Sequence, residues 1–144
     1  MIWKLKSFEE LNVNELYAVI QLREDVFIVE QNCPFLDCDG KDPLCWHLMG
    51  WSDGKLAAYT RIVPPGVTFN TASIGRVVTN REFRRHGVGK ELMEKSIEEA
   101  ENLGYKNLTI GAQYYLLKFY QGFGFKEFGE IYLEDGIEHV HMKR

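Results

Sequence analysis

The stretch that constrains this chain most is a glycine-bearing turn, Arg84-Arg85-His86-Gly87-Val88-Gly89-Lys90, set between a strand and an amphipathic helix. Upstream, Ala72 to Val78 reads as the strand. Downstream, Val88, Leu92, Ser96 and Ala100, with Met93 and Ile97 beside them, mark one face of a helix over 87–103 that Gly104 ends. Glycines at a helix start let backbone N–H groups converge on an anion, and the helix dipole adds to their attraction for phosphate, so the turn suits a pyrophosphate. Two nucleotide motifs fail on register. A Walker loop needs Gly at 84 and Ser or Thr at 91, where Arg84 and Glu91 stand, and a dinucleotide fingerprint needs Gly or Ala where Leu92 stands. Taken alone, the loop is also compatible with a plain helix entry.

The remaining elements follow from periodicity. Trp3 to Leu5 predicts a first strand. Asn12 and Glu15 have the spacing of a capping box, and Leu16, Val19, Ile20, Val26 and Phe27 mark one helical face down to about Val29. Trp46 to Trp51 and Lys55 to Val63 read as strands joined at Ser52-Asp53-Gly54, with Pro64-Pro65-Gly66 closing the second. Lys106 to Ile110 predicts a short strand, Tyr114 to Gln121 a short helix, and Phe125 to Phe128 and Ile137 to Met142 two more strands. The order β-α-β-β-β-α-β-α-β-β makes a mixed sheet with flanking helices. A chain of 144 residues buries roughly two thirds of its unfolded surface and needs no metal or disulfide to hold a core.

Charge narrows the partners. With 17 Lys and Arg against 21 Asp and Glu, the net charge of −4 argues against nucleic acid, whose phosphates are bound by clustered cations. No apolar run reaches the length that spans a bilayer, and Met1 to Lys6 lacks the apolar core of a secretory signal, so a cytoplasmic chain without membrane attachment is expected. Cys33, Cys38 and Cys45 are odd in number, which fits a reducing compartment. With His47 they make a possible Cys3His zinc set, but the spacing is wrong for paired ligands. Asp37, Asp39, Gly40 and Asp42 miss an EF-hand because Asp42 and Leu48 stand where Gly and Glu are needed. No metal is expected, and the loop reads as a solvated acidic turn.

The turn at 84–90 resembles the acetyl-CoA loop of the GNAT acyltransferase superfamily, Arg or Gln, two residues, Gly, one residue, Gly or Ala, through Arg84, Gly87 and Gly89. A second motif of that superfamily, a helix ending in an aromatic-Tyr pair and then Gly-Phe, is matched by Phe119-Tyr120 and Gly124-Phe125. Val26 to Gln31, Cys33-Pro34, Asp37 to Asp42 and His47-Leu48 look like the ElaA-like branch. The resemblance implies a single GNAT-like α+β domain over 1–144, three-layered, with a mostly antiparallel central sheet and helices on both faces. It implies acetyl-CoA as cosubstrate and a small-molecule or peptide amine as acceptor, in a monomer or homodimer.

Carried over residue by residue, the resemblance implies that Val77, Val78 and Thr79 offer backbone groups to the pantetheine arm, as an added strand would. Arg84, Arg85, His86, Gly87, Val88, Gly89 and Lys90 wrap the pyrophosphate. Gln113 stands where the family often has Asn, and Leu116 where it has a small residue, both departures. Tyr120 is the candidate acid, because amine attack on a thioester expels a thiolate that a phenol can protonate. A thiol near 8.5 and a phenol near 10 leave only a modest gap. An alkyl amine is mostly protonated at pH 7 and needs a base, for which Glu30, His47 and, third, Asp37 are candidates. His47 also suits the role of a satisfied core histidine. Phe27, Phe35 and Trp46 are candidate walls of an acceptor pocket. None of the cysteines neighbours a His-Asp pair, which favours direct attack in a ternary complex over an acyl-enzyme. A non-catalytic CoA-binding sensor and a metal or redox module on the cysteine loop are the competing readings.

Overall fold

A computed structural model describes residues 1–144 and builds them around one seven-stranded sheet of order β1-β2-β3-β4-β5-β7-β6. The strands are β1 (Ile2–Ser7), β2 (Trp46–Ser52), β3 (Lys55–Val63), β4 (Ala72–Thr79), β5 (Leu108–Gln113), β6 (Lys126–Glu134) and β7 (Ile137–Lys143). Every pairing is antiparallel except β4 with β5. Helix α1 is Val13–Arg23, α2 is Val88–Asn102 and α3 is Leu117–Gln121. None is long and apolar enough to cross a membrane.

Neighbouring residues on the central strands point to opposite faces, and both faces are covered. Met49 of β2 and Tyr59 of β3 pack with Val19 and Leu22 of α1. Leu48 and Ala58, one residue away on each strand, pack with Val88 and Leu92 of α2. Met93, Ile97 and Ala100 carry α2 on to Ile62, Ile74 and Ile110. A sheet apolar on both sides needs a layer on each, which gives the expected three-layer α+β architecture.

Three local expectations are corrected. The first helix does keep its capping box, Asn12 Oδ1 accepting from Glu15 N at 2.8 Å and Glu15 Oε1 from Asn12 N at 3.0 Å. It does not run as one α-helix to Val29, because at Arg23 it widens into a π-helical segment over Glu24–Glu30. Strand β5 starts at Leu108 rather than Lys106, since the exposed Lys106 and Asn107 belong to the irregular connection between α2 and β5. Strand β6 runs on to Glu134 because the pairing slips between Phe128 and Tyr132, and a bulge there absorbs Gly129, which in sequence reads as a strand end.

Candidate active site

The site begins with a seam in the sheet. Parallel β4 and β5 pair only through Ala72 with Leu108 and Ser73 with Thr109, and then part. On the other edge of β4, pairing with β3 jumps from Tyr59–Val78 to Arg61–Gly75. This bulge puts Arg76 at φ +50° and bends the strand away from β5. Beyond Ser73, the groups of β4 that face β5 have no strand partner. The gap opens into a cleft of about 690 Å³, with Val77, Val78 and Thr79 on one wall and Gly111 and Gln113 on the other.

The glycine turn closes one end. Arg84, Arg85, Gly87, Val88 and Gly89 line the cleft, while His86 and Lys90, expected to contact the pyrophosphate, are exposed and do not line it. Lys90 lies 3.9 Å from Glu94, one helical turn on. Gly87 caps α2 at φ +75° with no side-chain cap, so the first N–H groups of the helix stay open toward the cleft end. Arg85 also sits in the left-handed region, at φ +70°, a strained conformation that recurs where backbone is shaped around a ligand.

Arg84 is already engaged. Its two terminal nitrogens donate to the two oxygens of Glu30 at 2.6 and 2.7 Å, and its Nε donates to the Thr79 carbonyl at 3.3 Å. Glu30 lies at the cleft, as expected, but as the partner of Arg84, whose hydrogen bonds hold its carboxyl below the usual range. A carboxylate so held is a poor proton acceptor.

Tyr120 stands in the wall, buried, with its ring edge-on to Phe119 at 5.2 Å and to Phe125 at 6.2 Å. Its position is fixed by the residues after it. The amide of Phe125 donates to the Tyr120 carbonyl at 3.3 Å and that of Gly124 to the Gln121 carbonyl at 3.0 Å, a C-terminal cap that Gly124 permits at φ +88°. Burial pushes the phenol up, so it stays protonated and the gap to a thiol widens.

His47 is corrected. Its Nε2–H donates to the Asp42 carbonyl at 2.9 Å, which leaves Nδ1 to accept from the Tyr59 hydroxyl at 2.6 Å. Both nitrogens are used, burial lowers its pKa, and it does not line the cleft. Phe27 and Phe35 do line it, whereas Trp46 packs against the main core. Leu116 lines the cleft as well.

The aspartates of the acidic turn are ion-paired rather than left to solvent. Arg23 Nε lies 2.7 Å from Asp37 Oδ2 and Arg23 Nη1 2.7 Å from Asp42 Oδ1. Arg61 spans Asp42 at 3.0 Å and Asp39 at 2.9 Å. Arg76 reaches Asp39 at 3.4 Å and Asp37 at 2.8 Å, the latter close enough for an ion pair though not aligned as a hydrogen bond. Three arginines and three aspartates thus alternate in a closed ring that pins the loop over 37–42 to α1, β3 and the β4 bulge. Burial opposes ionisation of Asp39 and Asp42, yet Arg61 and Arg23 hold both below the usual carboxylate range. Asp37, the third candidate base, is part of this ring.

The cysteines do not converge. Cys33 Sγ donates to the Asp135 carbonyl at 3.1 Å, Cys45 Sγ to the Lys41 carbonyl at 3.2 Å, and Cys38 is exposed. Burial pushes the Cys45 thiol up to about 11. Cys33 lines the cleft beside Glu134, Asp135 and His139, an end of the site that sequence reasoning missed. The only signal for it was polar residues on either side of a turn at Asp135-Gly136.

A family model described as the acetyltransferase (GNAT) domain matches residues 47–144. Protein ElaA of Escherichia coli K12 is 42% identical over 145 aligned residues, covering 99% of this chain and 95% of that protein. The crystal structure of an acyl-CoA N-acyltransferase from Pseudomonas aeruginosa superposes with a TM-score of 0.94 at 40% identity, over 100% of this chain and 99% of the other. An aminoglycoside 6'-N-acetyltransferase complexed with coenzyme A shares the fold at a TM-score of 0.73 and 14% identity, over 100% and 96% of the chains.

Proposed function

Since the chain belongs to the GNAT acetyltransferase family, we propose that it transfers an acetyl group from acetyl-CoA to a primary amine by direct attack in a ternary complex. The observation that carries this is the convergence on one cleft of an unzipped parallel seam, an uncapped glycine turn and Tyr120. A relative solved with coenzyme A supports the cosubstrate.

Val77, Val78 and Thr79 take the pantetheine arm as a strand, using groups that β5 does not pair. Gly87, Val88 and Gly89 present the helix N-terminus to the pyrophosphate, with Arg84 and Arg85 beside it. The fit is open at both glycines: a Cβ on Gly87 would meet nothing within 4 Å, and one on Gly89 only Thr79 Oγ1 at 3.8 Å, so that space is free for a ligand. Gln113 flanks the thioester arm, and Tyr120 gives its proton to the departing sulfur. Cys33 lies in the cleft but spends its thiol on the Asp135 carbonyl, which speaks for direct attack rather than an acyl-cysteine.

Acetyl-CoA should raise the melting temperature. At a hundred times its dissociation constant a ligand of the native state stabilises by about 2.7 kcal/mol, worth several degrees for a domain of this size. No shift at millimolar acetyl-CoA would refute the reading. A shift without thiol release on any amine would leave a binding protein rather than an enzyme.

A further inference from the structure

His139 and His47 have opposite hydrogen-bond patterns. His47 has both ring nitrogens satisfied and lies outside the cleft. His139, on β7, lines the cleft and is only 6% exposed. Its Nδ1 lies 2.7 Å from the carbonyl of Ile137. A carbonyl can only accept, so Nδ1 carries the proton and Nε2 of the neutral ring holds a free lone pair. Glu134 Oε2 lies 3.5 Å from Nε2, beyond good hydrogen-bond length, and puts a negative charge beside the free lone pair. Tyr132 stacks on the ring at 5.7 Å and 26°, which holds its plane. Across the sheet His139 is in register with Gln113, so it sits directly beside the strand that forms one wall of the cleft.

We propose that His139 is the base of the reaction, its Nε2 taking a proton from the acceptor's ammonium, and that Glu134 selects acceptors whose reacting end is cationic. The proposal rests on the N-acetyltransferase reading given above. His139 removes one proton, and the freed nitrogen lone pair forms the C–N bond to the acetyl carbon. The C–S bond breaks with its electron pair on sulfur, which takes the Tyr120 proton. The second proton leaves the former ammonium nitrogen and returns Tyr120 to its neutral form, while His139 discharges to solvent. Net, ammonium and thioester become amide, thiol and one proton.

The groups that bear on His139 come from several elements. Glu134 and Tyr132 face it from β6, and Asp135 lies in the adjoining turn. His141 shares the Tyr132 ring at 4.6 Å. Cys33, Tyr120 and the Glu30–Arg84 pair line the same cleft. Carboxylates at this end attract an ammonium and repel an amine that carries its own carboxylate.

The test uses the full chain with acetyl-CoA, reading thiol release with spermidine, tyramine and lysine amide against glutamate. Acetyl-CoA binding is measured first by thermal shift, and its absence would refute the underlying reading rather than the role of His139. With binding present, a cationic amine should turn over faster than glutamate. His139→Gln should keep the acetyl-CoA dissociation constant while kcat falls about 10²- to 10⁴-fold and its acid limb disappears. Imidazole added to His139→Ala should restore part of the rate. Glu134 is exposed, so Glu134→Gln folds even where the histidine variants do not. It should raise KM for the cationic amine and leave KM for acetyl-CoA unchanged, because the lost negative charge weakens the attraction for the ammonium. Undiminished kcat in His139→Gln, an unchanged KM for the cationic amine in Glu134→Gln, or a preference for glutamate would overturn the proposal. So would acetyl-CoA binding without turnover of any cationic amine.

Discussion

Tyr120 and His47 show how differently single side chains can be tested. Replacing Tyr120 by Phe keeps the ring between Phe119 and Phe125 and deletes only the proton proposed to go to the sulfur. Acetyl-CoA affinity should survive while kcat falls about 10²- to 10⁴-fold if thiolate departure limits the rate, and unchanged turnover in a thiol-release assay would make the phenol structural. For His47 the readout is stability. Burial lowers its pKa from 6.5 in the folded chain, so on acidification the unfolded chain takes up the proton first. The stabilisation is therefore present above about pH 6.5 and is lost as pH falls below it. The melting temperature should drop between pH 7.5 and 5.5, and His47→Gln should flatten that drop; an equally steep curve in the variant would assign it to other groups. The place of Tyr120 in the cleft wall was legible because its neighbours form a motif. That of His139 was not, because it depends on a turn closing two strands together and on which ring nitrogen then faces a carbonyl.

At the scale of elements, the two glycines of the 84–90 turn should separate fold from binding. Gly87 has a left-handed φ, so Gly87→Ala carries a backbone cost of about 1–2 kcal/mol, whereas Gly89 is unstrained with room for a methyl group. Gly89→Ala should therefore melt like the wild type and bind acetyl-CoA more weakly, since its methyl group enters the space proposed for phosphate. Wild-type affinity by calorimetric titration would show the turn to be only a helix entry. Most strands and both long helices were readable from period and caps. The π-helical segment was not, because a widened turn changes the hydrogen-bond partner and leaves the pattern of residue types unaltered. That segment ends with Glu30 on Arg84 and leads directly to Cys33, so it supplies both ends of the cleft from one stretch of chain.

For the molecule as a whole, the arginine–aspartate ring joins parts of the chain that lie far apart in sequence. Arg23→Met would take one of two arginine partners from each of Asp37 and Asp42, leaving them Arg76 and Arg61, a loss of about 1.5–3 kcal/mol, or roughly 5–10 °C in melting temperature. A variant melting at the wild-type temperature would show that the ring adds no stability. In sequence the aspartates looked like a solvated turn because their partners stand on α1, β3 and the β4 bulge, and nothing local announces them. The narrow junction between β4 and β5 has a consequence in time as well. Residues 1–79 and 108–144 share one sheet through two residue pairs, so the second group can breathe as a separate cooperative unit, with its own free energy of opening. In deuterium exchange the amides of β5, β6 and β7 should lose protection earlier than those of β2 and β3. In the proposed pose acetyl-CoA spans the junction, and its binding should merge the two exchange classes into one that opens only when the whole chain unfolds.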